Sequence, residues 1–320
     1  MSGGKADAAI TELEKLIQTD DSSYQAHYMM AIAQLSQKQF DAAMDTAQKM
    51  QREWPDEPGI ANLMGIIETR QNNLAAGRRY FEEALEMKPG YTDALLNLAR
   101  LDHTEGDQLA AEEKYRSVVE IAPENTKALL ALARLAEKSG SKKEEIDWLE
   151  KARRSDKRNL ESRVRLFQRY LDANKTDLAE ELVVELEEQH EGTPATLATR
   201  GQLLIAQKNY NQALPVLEQL KKVQPNGAAG FRLSALNHMK LGQTEDARQD
   251  LRMAYRIDPN DFGNTVALAR TEQVMKNYQE ALKLGQELGR KAPKNPEGHI
   301  ISGDALMAME NYRDAVKAYD

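Results

Sequence analysis

The residues that could carry catalysis are scattered through this sequence without the spacing that catalysis needs. None of its five histidines stands in an H-E-x-x-H pair that could hold zinc on one helix face; they are His27, His103, His190, His238 and His299. The sequence has no cysteine, no G-x-S-x-G, no P-loop and no G-x-G-x-x-G. We therefore predict that the protein is not an enzyme and uses no metal or cofactor.

Arginines are the residues whose spacing suggests binding chemistry. Arg100, Arg134 and Arg270 are separated by multiples of 34 residues. A guanidinium group makes paired hydrogen bonds to a carboxylate, so such a row can recognise acidic side chains on a partner. The alternative is that these arginines only solvate a surface.

Composition narrows the class of protein. The 320 residues carry a formal net charge of -8, with 29% charged and 41% hydrophobic residues. An acidic chain of this kind argues against a nucleic-acid binder. No run of 18 or more apolar residues occurs, and residues 1–16 lack an apolar signal-peptide core, so we expect no membrane-spanning segment and no signal peptide in this chain.

The prolines reveal a period. Steps of 34 residues from Pro123 reach eight positions, of which six hold proline: Pro55, Pro89, Pro123, Pro225, Pro259 and Pro293. Lys157 and Glu191 hold the other two. A fixed period of this length is typical of a repeat array.

One repeat, residues 92–125, predicts a pair of helices. Apolar residues recur at helical spacing on both sides of Gly106, and Pro123 ends the second pattern because proline cannot donate the next helical hydrogen bond. The same reasoning predicts turns near Gly140 and Gly242. Neither helix could bury its apolar face alone, so the repeats must stack.

Two positions of the repeat hold small residues, which predicts close approach of helix backbones. The first small slot holds Ala31, Gly65, Ala99, Ala133, Phe167, Gly201, Ala235, Ala269 and Gly303. The second small slot holds Ala9, Ala43, Gly77, Ala111, Glu145, Ala179, Ala213, Ala247, Ala281 and Ala315. Sixteen residues after the first small slot comes a bulky slot, with Phe81, Tyr115, Leu149, Val183, Leu217, Leu251 and Tyr319 among its occupants.

These slots and the closing proline resemble the tetratricopeptide repeat family over the whole chain. The resemblance implies an all-α superhelical solenoid. Its expected organisation is a half repeat at 1–23, full repeats at 24–57, 58–91, 92–125, 126–159, 160–193, 194–227, 228–261 and 262–295, and a truncated repeat at 296–320. Neither end has the polar character of a capping repeat, so we expect a piece of a longer array.

The resemblance also implies where a partner binds, since the first helix of each repeat lines the concave side in this family. We expect a protein or an extended peptide with acidic side chains in that groove. Its expected lining is Tyr28, Ile32, Asn62, Arg70, Leu96, Arg100, His103, Lys127, Leu130, Arg134, Lys138, Gln168, Gln202, Arg232, Leu236, Met239 and Arg270. Some family members clamp a C-terminal carboxylate. Asn97 and Lys127 fit that clamp, but Ile66 and Ala131 occupy its partner slots, so we do not expect it here.

These features predict a non-catalytic protein-binding scaffold. Residues 61–68, 93–102 and 127–140 look like the long bacterial tetratricopeptide lipoproteins of exopolysaccharide-export and exosortase clusters. That resemblance implies a periplasmic or membrane-tethered protein. The alternatives are a cytoplasmic assembly or regulatory adaptor, and the adaptor half of a transferase.

The array is not expected to be uniform. Glu145 and Phe167 fill small slots, and Lys157 and Glu191 replace prolines, which predicts a weak point between Glu145 and Glu191. A basic cluster from Lys151 to Arg169 precedes an acidic run from Glu180 to Glu188. Either the acidic run or a bound anion would neutralise it. Gly285 and Gly289 predict a thin helix filled by a neighbour, with a special helix-docking site as the alternative.

Overall fold

The computed structural model describes the backbone of residues 3–319 and the side chains of residues 10–319. The first two residues, the last residue and the side chain of Ala9 lie outside the described residues. All regular structure within the described range is helical, in nineteen helices and with no strand, so the all-α prediction is confirmed. The chain divides into two compact units, which we call the N-terminal unit (1–159) and the C-terminal unit (160–320).

The helices of the N-terminal unit alternate between first and second helices of the repeats. They are α1 Gly3–Thr19, α2 Tyr24–Ser36, α3 Phe40–Glu53, α4 Pro58–Arg70, α5 Leu74–Met87, α6 Thr92–Glu105, α7 Gln108–Ile121, α8 Thr126–Lys138 and α9 Lys142–Ser155.

The C-terminal unit continues the alternation. Its helices are α10 Leu160–Asp172, α11 Thr176–Gln189, α12 Pro194–Ala206, α13 Tyr210–Val223, α14 Ala228–Lys240, α15 Thr244–Ile257, α16 Phe262–Val274, α17 Tyr278–Lys291, α18 Glu297–Ala308 and α19 Tyr312–Tyr319.

The first helices start where the repeat pattern, N-terminal prolines and capping side chains predict. A helix begins at every residue where a full repeat was expected to start, and α18 begins one residue after Pro296. Pro58 and Pro194 stand first in α4 and α12, where the missing N–H costs no helical hydrogen bond. Asn125 caps α8 by accepting a hydrogen bond from the Ala128 N–H at 3.1 Å.

The turns inside the repeats share one backbone conformation. Gly106, Gly140 and Gly242 have φ of 92°, 77° and 76°, so the turns predicted at these glycines are confirmed. The same left-handed conformation recurs every 34 residues at six positions that are not glycine, and the sequence did not predict it there. They are Lys38, Asn72, Asn174, Lys208, Lys276 and Glu310.

The small slots bring helix backbones together as predicted. A Cβ added at Gly65 would lie 2.5 Å from Phe81 Cε1 and 3.0 Å from the Gly77 carbonyl oxygen. At Gly201 the added atom would lie 2.6 Å from Leu217 Cδ2. The first small slot therefore packs against the bulky slot of the same repeat.

The departures from the pattern are absorbed inside the core. Glu145 and Phe167 are both 1% exposed. The repeat with Phe167 in the small slot has the smaller Val183, also buried, in the bulky slot. A Cβ at Gly285 would lie 2.6 Å from Ser302 Oγ and 2.9 Å from the Ser302 backbone nitrogen. The α18 backbone thus fills the thin part of α17, as the thin-helix interpretation predicts.

Buried ion pairs join neighbouring helices within each unit. In the N-terminal unit Asp102 receives Arg78 from α5 and Lys114 from α7, both at 2.7 Å. Burial raises the pKa of Asp102, but the hydrogen bonds from Lys114 and Arg78 outweigh it and hold that pKa below its ordinary value. In the C-terminal unit the buried Glu272 receives Arg252 at 2.7 Å. These charges serve the packing of the repeats.

Candidate functional site

The predicted groove residues of the N-terminal unit fall into two groups. Most are exposed: Ile32, Arg70, Arg100, His103, Lys127, Arg134 and Lys138. Tyr28 is half-buried. Asn62, Leu96 and Leu130 are only 3%, 3% and 8% exposed, so packing within the unit leaves them almost no surface for a partner.

A short hydrogen-bond network crosses two first helices. Asn97 on α6 donates through Nδ2 to Asn62 Oδ1 on α4 at 2.9 Å. Arg100 donates through Nη1 to Asn97 Oδ1 at 3.3 Å. Asn62 and Asn97 thus link α4 to α6 and position the guanidinium group of Arg100. The sequence placed Asn62 in the groove but did not predict this role.

Arg100 and Arg134 lie near the same phenol. Tyr115, from the second helix α7, is buried, and burial raises the pKa of its phenol, while Arg100 and Arg134 both act to lower it. Arg100 comes from α6 and Arg134 from α8, so guanidinium groups from two successive first helices both act on this phenol. Both side chains are exposed.

A second group of polar residues lies at the N-terminal ends of the first helices. Its members are Tyr24, Tyr28, Tyr91, Glu57 and Asp93, which we call the tyrosine–carboxylate cluster. The rings of Tyr24 and Tyr28 stack with centroids 5.9 Å apart, and Trp54 packs edge-on against Tyr24 at 5.3 Å.

The electrostatics of the cluster link its phenols to its carboxylates. Burial, followed by the charge of Glu57, raises the pKa of Tyr24 to about 12. Burial, followed by Asp93, raises the pKa of both Tyr28 and Tyr91. The phenols therefore stay protonated well above neutral pH.

The sequence predicted only Tyr28 of this cluster. Tyr24 lies one helical turn before it, and that spacing was the available signal. Glu57 lies at the far end of the same repeat, and Tyr91 and Asp93 come from the next two repeats, so only the packing of α2, α4 and α6 brings them together.

The predicted groove residues of the C-terminal unit are partly engaged in ion pairs. Gln168, Arg232, Leu236, Met239 and Arg270 are exposed, and Gln202 is half-buried. Arg270 donates through Nε to Glu297 Oε1 at 2.8 Å, and Arg232 lies 3.9 Å from Asp261. Arg270 is thus paired with a carboxylate of α18, and its place in the partner-binding groove stays a prediction.

Five arginines of the basic cluster between Lys151 and Arg169 pair with nearby acids. In the C-terminal unit Arg163 reaches Glu185 of the acidic run at 2.8 Å. Other close pairs lie along single helices: Arg153–Glu150, Arg154–Glu150, Arg165–Glu161 and Arg169–Asp172. These contacts support neutralisation by the protein itself over a bound anion.

The histidines make ordinary structural contacts. His27 is buried, with Nε2 3.0 Å from the Asp21 carbonyl oxygen, and His238 Nδ1 lies 2.7 Å from Gln243 Oε1. Within the described side chains no three potential metal ligands come together. Among residues 3–319 no helix has both the length and the apolarity needed to cross a membrane.

Comparison with protein families identifies the repeat. A model described as tetratricopeptide repeat matches residues 1–67, and a second with the same description matches 63–126, 110–159 and 198–262. The matches together cover more than half of the chain. The chain belongs to the tetratricopeptide repeat family.

Similar proteins agree with this tetratricopeptide fold. Mouse sperm-associated antigen 1 is 29% identical over 85 residues, a segment that is 27% of this chain and 9% of that relative. The C-terminal part of a tetratricopeptide repeat protein from Cytophaga hutchinsonii superposes with a TM-score of 0.56 at 15% identity, covering 75% of this chain and 99% of the other. Yeast Tom70 gives 0.51 at 15% identity, with 92% and 61% covered. At such identities these structures show the fold alone.

Proposed function

We propose that this tetratricopeptide protein is a non-catalytic scaffold whose N-terminal unit binds an extended acidic segment of a partner protein. The observation that carries the proposal is the pair of exposed guanidinium groups on successive first helices, Arg100 on α6 and Arg134 on α8, both acting on Tyr115. Two such groups one repeat apart can each pair with a carboxylate of the same extended segment.

Nearby charge favours an acidic partner. Lys127 and Lys138 are also exposed on α8, whereas the whole chain has a net charge of -8. A local basic surface on an acidic protein steers an acidic segment to one place and repels it from the rest. The network through Asn97 holds Arg100 in position before binding, which lowers the entropic cost of the contact.

The C-terminal unit is not included in this site. Arg270 is held by Glu297, so its charge is already compensated. Leu236 and Met239 are exposed beside each other on α14, but nothing in the unit determines what would cover them.

A peptide array tests the proposal. The chain is applied to blocked 12-residue peptides in which Asp or Glu is placed systematically among neutral residues, and bound protein is measured. We expect selective retention on acidic peptides, and we expect Arg100→Glu/Arg134→Glu to lose at least about tenfold in affinity, since two charge-assisted contacts are reversed.

The control variant changes the net charge by the same amount, but on the second helices instead of the first. Arg52 and Arg79 are exposed on the second helices α3 and α5, so Arg52→Glu/Arg79→Glu should bind acidic peptides like the wild type. Arg270→Glu should also retain binding. Equal losses in both double variants would show that only net charge matters, and would contradict the proposed site.

We also propose a narrower assignment, to an exopolysaccharide-export lipoprotein. It rests only on the repeat-consensus stretches at residues 61–68, 93–102 and 127–140. Its test is the sequence of the complete gene. A lipoprotein signal upstream together with exopolysaccharide-export neighbours would support it, and a catalytic domain in the same gene would favour the transferase alternative.

A further inference from the structure

We infer that the tyrosine–carboxylate cluster of the N-terminal unit binds the guanidinium group of an arginine on the partner. The inference rests on the proposed function, because a segment lying along the first helices would bring that arginine to α2, α4 and α6. The groups that make the site are separate from Arg100 and Arg134, so the two proposals can fail independently.

Three oxygen atoms of the cluster lie close together beside the backbone of Gly59, which is itself buried. A Cβ placed on Gly59 would lie 3.1 Å from Tyr24 Oη, 3.4 Å from Tyr91 Oη and 3.7 Å from Glu57 Oε1. Tyr24 is the first residue of α2, Glu57 directly precedes α4 and Tyr91 directly precedes α6. Among the described residues no side chain hydrogen-bonds to either phenol. A guanidinium group has five N–H donors in a fixed plane and needs several acceptors close together, which this arrangement offers.

The rings provide the second half of the site. Tyr24 and Tyr28 stack at an interplanar angle of 21°, and both are half-buried. Cations are attracted to aromatic faces, and a guanidinium group can also stack flat on them. The chain's own Lys88 lies 5.9 Å from the centre of the Tyr91 ring, so this part of the cluster already accommodates a cation.

The charge of the cluster selects a cation over an anion. Glu57 and Asp93 are both exposed. Each also stands at the start of a helix, Glu57 just before α4 and Asp93 in the first turn of α6, where a carboxylate offsets the helix dipole. The two carboxylates disfavour an anion, and the cluster already holds one cation of the chain, Lys88, against the Tyr91 ring.

Arginine fits these features better than lysine. An ammonium group is a compact, strongly hydrated charge that neither stacks on rings nor makes forked hydrogen bonds. The cluster offers both a stack of rings and exposed carboxylates, so the planar, weakly hydrated guanidinium group gains more there.

A small probe tests the site without the rest of the partner. The full chain, labelled on its tyrosine rings, is titrated with N-acetyl-arginine amide and followed by NMR. N-acetyl-citrulline amide, which has nearly the same shape and no charge, is the matched probe. We expect saturable shifts of the Tyr24, Tyr28 and Tyr91 ring signals with the arginine probe alone, and no saturable shift of Tyr80 or Tyr210.

Two double variants separate this site from general electrostatics. Glu57→Gln/Asp93→Asn should weaken binding of the arginine probe about tenfold, whereas Asp41→Asn/Glu82→Gln, which removes two exposed carboxylates from second helices, should not. Arg100→Glu/Arg134→Glu should keep the arginine probe bound even if acidic peptides are lost. Equal shifts with both probes, or undiminished binding in Glu57→Gln/Asp93→Asn, would overturn the inference.

Discussion

Gly65 and Phe81 pack against each other with no room for a methyl group between them. A Cβ at Gly65 would lie 2.5 Å from Phe81 Cε1, closer than any ordinary contact. The pair shows how a small residue on a first helix and a bulky residue on its second helix share one volume. It also makes the packing of the repeat testable.

We predict that Gly65→Ala destabilises the protein. Overpacking costs roughly 1–3 kcal/mol, whereas replacing glycine inside a helix gains at most about 1 kcal/mol, so the loss prevails. The measurement is the urea midpoint. Gly289→Ala is the matched control, because an added Cβ there meets only His299 at 3.7 Å, and it should be neutral or stabilising. An unchanged midpoint for Gly65→Ala would show that Phe81 moves aside freely.

The left-handed residue in the turn inside each repeat gives a second prediction about stability, in which a substitution should stabilise the protein. Lys276 has φ of 62°, a conformation that costs a residue with a side chain about 1–2 kcal/mol and costs glycine almost nothing. We expect Lys276→Gly to raise the free energy of unfolding by about 1 kcal/mol, measured by urea titration. The neighbouring Met275 has φ of -82°, so Met275→Gly should lower stability. A lower stability of Lys276→Gly would contradict the assignment.

Much of the fold could be predicted from the sequence because it depends on local patterns. The proline period placed the helix starts, and Gly106 marked its turn. The turns at Lys38, Lys208 and Lys276 were missed as left-handed because lysine gives no local signal for that conformation. It is imposed there by the helices on either side.

The candidate site was less predictable because it depends on contacts between repeats. Periodicity placed Asn62, Leu96 and Leu130 on the first helices, but whether a first-helix residue is exposed depends on the neighbouring repeat. Arg270 was placed in the groove by its repeat slot, and the pattern did not show that Glu297 lies beside it.

The half-buried Tyr24 predicts a loss of stability at alkaline pH. Burial and Glu57 raise its pKa to about 12 from 10.0. The unfolded chain therefore loses this proton first, so the contribution to stability is complete below pH 10 and is lost as the pH rises toward 12. We expect wild type to lose more stability than Tyr24→Phe over this range, measured by urea unfolding at several pH values. Equal losses would show that Tyr24 titrates normally.

The stretch between Glu145 and Glu191 is predicted to be the weakest part of the array. Four departures from the repeat pattern fall there, and the division between the two compact units lies inside it, at residues 159 and 160. A linear array unfolds first where neighbouring repeats interact least. Hydrogen-exchange mass spectrometry should therefore show faster amide exchange in residues 142–193 than in 58–125. Equal protection of both regions would contradict this prediction.

The most direct test of the acidic-segment site is a charge exchange between protein and peptide. An acidic peptide selected on the array is labelled and its affinity measured by fluorescence anisotropy with wild type and with Arg100→Glu/Arg134→Glu. The same peptide with its acidic residues replaced by lysine is then measured with both proteins. We predict that the variant loses the acidic peptide and gains the lysine peptide, because each contact is restored with its signs exchanged. Loss of the acidic peptide without gain of the lysine peptide would contradict direct contact at Arg100 and Arg134.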